Sequence, residues 1–344
     1  MVLNNINDII SRLPKTDLHL HLAGSIRPAT CLQLIQKNKI DSTLQTEQDV
    51  MEFMNYDNFS DFVSKYTFFS DLLVTPDDFG FITLELITDL VKDNVQYAEI
   101  TISPYDHIRN GIDYREMMVS IDNAIKSGEN NYNIKINLII DLVRDYGPEI
   151  SDKVLEETIR MKNPRVVSIG LGGNENAYPA REFASTFKKA AAAGLRLTAH
   201  AGETTSPESV WDVINYLHVH RIGHALKSSE DSQLIELLQD KRIPLEICVS
   251  SNVLTGAVRN IQSHPVKYFF DRRLLFSIGT DDPGMFNTNL SNEYGILNRS
   301  FNLMLGELRQ IILNGIQIAF ISDHEKHNLF RGFSEEFHQL RKLE

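Results

Sequence analysis

At 344 residues the chain exceeds a typical single domain, but α/β barrels commonly reach this length as one unit. Its net charge of −12 argues against nucleic acid as a partner, because nucleic-acid binders present basic faces. Two cysteines give no disulfide framework, and neither a signal-peptide pattern nor an apolar run of roughly 20 residues occurs. We therefore predict one domain over residues 1–344, cytoplasmic, with no nucleic-acid or membrane partner.

Short apolar or β-branched runs recur along the chain and predict strands. They lie near residues 17–22, 97–103, 136–143, 166–172, 196–200, 220–224, 243–249 and 274–280. Most of the intervals have helical patterns, with hydroxyl–proline–acid start signals at residues 75–78 and 206–208. Eight strands that alternate with helices predict a (β/α)8 TIM barrel, and a doubly wound sheet is the alternative.

Two regions of the sequence are longer than a minimal (β/α)8 barrel needs, the connection between the first two runs and the C-terminal part. The interval between the first two runs is about 70 residues long and includes a helical pattern at 61–73. Such an elaborated connection would lie over the mouth of the barrel, where lids and substrate pockets form. Beyond residue 286 the stretches 292–320 and 323–343 are also predicted to be helical and to pack around the outside. The fold prediction is thus a barrel with extra helices in its first βα connection and at its C-terminus.

Histidines and acids at the ends of several predicted strands indicate a metal site. His19 and His21 alternate along the first run, so both rings would point to one face. His200 ends the fifth run and Asp281 follows the eighth, and carboxyl ends of barrel strands meet at one face. Alone, each motif is weak, since a single histidine is commonly a core residue and Asp-Asp-Pro a turn. Together they offer three imidazoles and one carboxylate, a ligand set that predicts one Zn²⁺ per chain.

Acid–base candidates accompany these ligands. Glu203 follows His200 by three residues and could exchange a proton with a bound substrate, although a helix-capping role is the alternative. His224 and Asp282 would converge on the same place. The remaining seven histidines, at positions 107, 218, 220, 264, 324, 327 and 338, are predicted to be surface or structural residues.

Taken together, these segments resemble the adenosine deaminase family of the amidohydrolase superfamily from about residue 14 to residue 300. The similar motifs are TDLHLHLAGS (16–25), DFVSKY (61–66), ITISP (100–104), SIGLGGNE (168–175), LTAHAGE (197–203), RIGHA (221–225), SSNVLTGA (250–257) and SIGTDDPGMF (277–286). The resemblance implies zinc-dependent hydrolytic deamination of adenosine and 2′-deoxyadenosine, which yields inosine or its deoxy form plus ammonia. The implied partner is therefore a small purine nucleoside.

The resemblance also implies a role for each site residue. Zinc would be bound by His19, His21, His200 and Asp281. Glu203 would carry a proton to the purine N1, His224 would position the attacking water, and Asp282 would contact N7. The backbone of Gly173 would face N3, and an apolar gate over the pocket would include Phe62, Val63 and Tyr66.

One position departs from the family pattern. Two residues after His21, adenosine deaminases usually carry an aspartate that binds the ribose 5′-hydroxyl, whereas this chain has Ala23. Adenosine stays the first expectation, and adenosines altered at the 5′ position, such as 5′-deoxyadenosine or 5′-methylthioadenosine, are the alternative. Adenine is a further candidate. Two rivals lie outside this activity: another metal-dependent hydrolase that cleaves an amide or ester, and a non-catalytic nucleoside-binding barrel.

Overall fold

Eight parallel strands form the centre of the fold in the computed structural model, which describes residues 6–341. Each strand pairs with the next one along the chain. The strands are β1 (Lys15–His21), β2 (Val95–Ile102), β3 (Lys135–Asp141), β4 (Val166–Gly170), β5 (Arg196–Ala201), β6 (Arg221–His224), β7 (Leu245–Ile247) and β8 (Phe276–Ile278). Every predicted run overlaps one of them, so the predicted (β/α)8 barrel is confirmed.

The barrel closes where β1 meets the segment that follows β8. The backbone N–H of His21 donates to the carbonyl of Asp281 at 2.7 Å, and the N–H of Asp281 donates to the carbonyl of His19 at 2.9 Å. These two bonds fix the backbone positions of His19, His21 and Asp281, three of the predicted metal ligands, relative to one another.

Helices surround the strands. Within residues 6–341 they are α1 (Ile6–Arg12), α2 (Pro28–Asn38), α3 (Glu47–Phe53), α4 (Phe59–Asp71), α5 (Pro76–Lys92), α6 (Pro104–Ile108), α7 (Tyr114–Asn131), α8 (Gly147–Met161), α9 (Ala184–Ala192), α10 (Pro207–Asp212), α11 (Ser232–Lys241), α12 (Val249–Leu254), α13 (Val266–Asp271), α14 (Leu290–Phe301), α15 (Leu305–Ile318) and α16 (Asp323–Arg341). Both predicted start signals, at residues 75–78 and 206–208, do begin helices. None of these helices combines the length and apolarity that a bilayer crossing requires.

The extra helices lie where the sequence predicts them, with one difference. Helices α2 to α5 occupy the first βα connection, and α14 to α16 form the C-terminal part. The stretch 292–320, predicted to be helical, forms two helices, because α14 ends at Phe301 and Asn302 adopts a left-handed φ of 56°. A residue in that conformation ends a helix. The predicted end of the last helix at 343 falls outside the described residues.

Helix α4 covers the mouth of the barrel and is tied to the segment after β8. Phe62 stacks on Phe286 with ring centroids 5.2 Å apart, and the Tyr56 hydroxyl donates to the carbonyl of Met285 at 3.0 Å. One wall of the mouth is therefore aromatic and apolar.

Candidate functional site

A cavity of about 260 Å³ opens at the carboxyl ends of the strands, beneath α4. It brings together most of the predicted site residues, which come from β1, β5, β6, the loops after β4, β5 and β8, and helix α4. The predicted residues that line it are Phe62, Val63, Tyr66, His21, Gly173, His200, Glu203, His224, Asp281 and Asp282. His19 lies just below, buried, with ring contacts to His21, His200 and His224 at centroid distances of 5.5, 4.6 and 4.9 Å.

The distances between candidate ligand atoms suit a tetrahedral metal site. The Nε2 atoms of His19 and His21 lie 3.4 and 3.2 Å from Oδ1 of Asp281. Metal–nitrogen bonds of 2.0–2.1 Å in tetrahedral geometry require ligand atoms about 3.3–3.5 Å apart. In addition, Nε2 of His19 is buried and has no hydrogen-bond partner in the structure, as expected for an atom reserved for a ligand. The residues present thus fit a divalent metal.

Neighbouring side chains hold two of these groups with the correct atom facing the centre. Oε2 of Glu246, on β7, lies 2.7 Å from Nδ1 of His19, which leaves Nε2 for the metal. The Ser251 hydroxyl donates to Oδ2 of Asp281 at 2.6 Å, which leaves Oδ1 free. Glu246 is held in turn by Arg221, whose Nε lies 2.5 Å from Oε1. An ionic network in the barrel lumen therefore supports the centre from below.

Five side chains could supply the four protein ligands of the metal, the four histidines 19, 21, 200 and 224 and Asp281. His19, His200, His224 and Asp281 each offer one ligand atom within 4.8 Å of the others, so His224 competes with the predicted ligand His21. Nε2 of His224 lies 3.9 Å from Oδ2 of Asp281, farther than the tetrahedral spacing. Its Nδ1 atom is 3.0 Å from the side-chain amide of Asn252. Geometry thus favours His21, and leaves His224 beside the centre.

Glu203 is buried within 3.7 Å of Nε2 of His224. Burial, and then the charges of Asp281 and Glu175, raise the pKa of Glu203 well above its ordinary value. This shift favours the protonated carboxyl group, which can donate a proton. The loop that carries it is organised by the Glu175 carboxylate, which accepts from the backbone N–H groups of Gly202, Glu203 and Thr204 at 2.8–3.0 Å.

Asp282 depends on a glycine opposite it. A Cβ atom on Gly24 would lie 1.7 Å from Oδ1 of Asp282, so only glycine fits there. That oxygen is buried and has no hydrogen-bond partner among the described residues, and Asp282 borders the cavity. Burial and the adjacent Asp281 carboxylate raise the pKa of Asp282, which favours its protonated form.

Asp141 is a cavity residue that the sequence analysis missed. It ends β3 and is buried, and its Oδ2 accepts from the Ser103 hydroxyl at 3.1 Å, while Oδ1 has no partner in the structure. A Cβ atom on Gly172 would lie 2.8 Å from Oδ2, so glycine at that position makes room for the carboxylate. A buried carboxylate oxygen without a donor is costly, and it marks a place where a ligand can donate.

The surroundings of Ala23 combine apolar side chains with the polar side chains of Thr101, Ser103 and His107. Ala23 is buried beside a second cavity of about 10 Å³, whose lining includes Leu73, Phe79 and Ile102. This cavity shares Tyr66 and Ser103 with the main one. Nothing in that lining supplies a carboxylate in place of the one that Ala23 lacks.

One of the seven histidines that are predicted to be surface or structural residues lies close to the site. Of the seven, His264 is buried, and its Nε2 lies 3.1 Å from the side-chain oxygen of Asn252, which in turn contacts His224. It is therefore linked to the site through one residue. No local pattern reveals this link, because residues 224, 252 and 264 come together only in the folded barrel.

Comparisons with known proteins agree with this geometry. The family model for adenosine deaminase matches residues 14–335. Aminodeoxyfutalosine deaminase of Streptomyces avermitilis is 37% identical over 320 residues, 92% of this chain and 89% of that protein. Adenosine deaminase of Clostridium kluyveri is 31% identical over 96% of each chain. The crystal structure of adenine deaminase from Arthrobacter aurescens matches with a TM-score of 0.91 at 27% identity, over 94% of this chain and 98% of that one.

The barrel and its His–Asp centre define a hydrolase of the amidohydrolase superfamily. The chain belongs to the adenosine deaminase family and acts on the amino group of a purine. The three relatives carry the names of three different substrates, so the substrate has to be argued from the cavity itself.

Proposed function

We propose that the protein is a zinc-dependent deaminase that replaces the C6 amino group of a 6-aminopurine nucleoside by oxygen and releases ammonia. The observation that carries this proposal is the pair of 3.2 and 3.4 Å spacings between imidazole nitrogens and Asp281, within a cavity that also holds Glu203. His19, His21, His200 and Asp281 would hold the metal. Zinc, when bound, lowers the pKa of a water toward about 7 and so supplies a nucleophile at neutral pH.

The acid–base work falls to residues of the chain. Glu203, whose raised pKa favours the protonated form, donates to N1, and this makes C6 electrophilic. Asp282, also favoured in its protonated form, donates to N7, which is an acceptor. His224 orients the attacking water, and the backbone of Gly173 faces N3. Phe62, Val63 and Tyr66 cover the pocket and exclude bulk water, which strengthens each of these contacts.

For the substrate, we infer a nucleoside whose 5′ carbon lacks a free hydroxyl. The side chain of Ala23 offers no hydrogen bond, and the small cavity beside it has no carboxylate in its lining, which includes the apolar Leu73, Phe79 and Ile102. The relative at 37% identity is named for aminodeoxyfutalosine, which makes that compound a candidate here too. Adenosine and 2′-deoxyadenosine, the first expectation from the motifs, become the second candidate.

The sugar itself has a polar contact available. Oδ1 of Asp141, unpartnered and bordering the cavity, is suited to accept from a ribose hydroxyl. This contact favours nucleosides over the free base adenine. Phosphorylated substrates are disfavoured, because the carboxylates of Asp106, Asp141 and Asp145 outnumber the one arginine, Arg109, in this part of the cavity lining.

A substrate panel tests the proposal. Zinc-loaded protein is mixed with adenosine, 2′-deoxyadenosine, 5′-deoxyadenosine, 5′-methylthioadenosine, aminodeoxyfutalosine, adenine and AMP, and conversion to the 6-oxo product is followed by ultraviolet absorbance. We expect kcat/KM to be higher for the 5′-modified nucleosides than for adenosine. A hundredfold preference for adenosine would refute the inferred substrate class. Absence of any deamination across the panel would refute the proposed function.

A further inference from the structure

A chain of hydrogen bonds runs from a backbone amide to His224. The N–H of Val266 donates to Nδ1 of His264 at 3.1 Å. Nε2 of His264 lies 3.1 Å from Oδ1 of Asn252, and Nδ2 of Asn252 lies 3.0 Å from Nδ1 of His224. All three side chains are buried, with exposures of 3%, 0% and 1% in the order His264, Asn252, His224.

The backbone N–H of Val266 decides which atom donates and which accepts in every hydrogen bond of this series. A backbone N–H can only donate, so Nδ1 of His264 carries no proton. The ring keeps its single proton on Nε2, which donates to Asn252. Burial also lowers the pKa of His264 to about 3, in agreement with a neutral ring.

The orientation of the Asn252 amide is fixed for the same reason. If its oxygen and nitrogen were exchanged, the amide NH₂ would face Nε2–H of His264, two donors in contact. The amide therefore presents its oxygen to His264 and donates from Nδ2 to Nδ1 of His224. That atom of His224 is then an acceptor, and the proton of its ring is on Nε2.

We propose that His264 and Asn252 are positioning residues that fix His224 as an Nε2–H donor facing the reaction centre. With Nδ1 occupied by Asn252 and Nε2 protonated, His224 has no lone pair left for a metal. This separates its role from that of His21, although both rings border the same centre. The Nε2–H group faces the side of the cavity that holds Glu203, where the attacking oxygen would be oriented.

The first test uses the wild-type protein and does not depend on turnover. Long-range ¹⁵N–¹H spectra of histidine-labelled, metal-free protein report which ring nitrogen carries the proton. We expect His224 and His264 both to be Nε2–H tautomers. The resonances are assigned with His224→Gln and His264→Gln. A proton on Nδ1 of either ring in the wild type would overturn the proposal.

The second test reverses the direction of the last hydrogen bond, the one between Asn252 and His224. This test rests on the proposed function. Asn252→Asp replaces the donor with a carboxylate that can only accept, so His224 must turn its proton toward Nδ1. We expect kcat to fall about a hundredfold to ten-thousandfold, as when a catalytic histidine holds the wrong tautomer, with little change in KM or zinc content. A kcat within threefold of wild type would contradict the proposal.

Variants of His264 separate positioning from simple packing. His264→Gln keeps an N–H donor for Asn252 and should retain at least a tenth of wild-type kcat. His264→Phe removes the donor, and its kcat should be at least tenfold lower than that of His264→Gln. His220→Gln, at the opposite end of the barrel, serves as the control. Equal loss in the Gln and Phe variants would assign His264 a packing role only and refute the proposal. A wild-type enzyme without deaminase activity would refute the proposed function and leave the tautomer result intact.

Discussion

The substitution Ala23→Asp tests how the cavity selects its substrate. Ala23 is 6% exposed, so a carboxylate there would be largely desolvated. A hydrogen bond from a substrate hydroxyl to such a charge contributes about 1.5–3 kcal/mol. At 1.4 kcal/mol per factor of ten, the variant should gain about tenfold to hundredfold in preference for a free 5′-hydroxyl.

The assay compares kcat/KM for adenosine with kcat/KM for 5′-deoxyadenosine in the wild type and the variant. We expect the ratio to rise at least tenfold in Ala23→Asp, because adenosine gains a partner and 5′-deoxyadenosine meets an unpaired charge. Ala23→Ser, which adds a hydroxyl without charge, is the matched control and should shift the ratio less. Zinc content and melting temperature are recorded for each protein, since His21 is two residues away. An unchanged ratio in a zinc-loaded, folded variant would show that position 23 does not face the 5′ group.

Three further predictions follow from individual contacts. Glu246→Gln should weaken zinc binding about tenfold to hundredfold, measured by competition with a chelator, because His19 loses the charge that orients it; affinity equal to wild type would contradict this role. Gly24→Ala should displace Asp282 and lower kcat/KM at least tenfold at unchanged zinc content, and full activity would mean that Asp282 is dispensable. Burial lowers the pKa of Lys15 from 10.5 to about 8. Above pH 8 the unfolded chain therefore holds more protons than the folded one, so the folded protein gains stability as the pH rises. Between pH 7.5 and 9.5 the free energy of unfolding of the wild type should rise by about 1–2 kcal/mol more than that of Lys15→Met, as measured by urea denaturation. Parallel pH curves for the two proteins would exclude Lys15 as the source.

Local patterns in the sequence predicted the strands and the candidate ligands. Apolar runs identified all eight strands, and the alternation of His19 and His21 placed two rings on one face. The first connection and the C-terminal helices were also anticipated. The break at Asn302 was not, because a left-handed residue in an otherwise helical pattern gives no signal of its own.

The residues that support the site were harder to find, since their roles depend on which distant strands become neighbours. Glu246 and Asp141 each interrupt an apolar run, so each carried a signal in the sequence. Arg221 meets Glu246 only across the β6–β7 pair inside the barrel. The relation between His264, Asn252 and His224 needs coordinates, because sequence spacing says nothing about hydrogen-bond direction.

The most direct test of the account measures zinc and turnover together in the wild type and in Glu203→Gln. We predict one zinc per chain in both proteins, deamination of a 6-aminopurine nucleoside by the wild type, and loss of nearly all turnover in the variant. Equal activity in Glu203→Gln, or an active wild type without a bound divalent metal, would contradict the account.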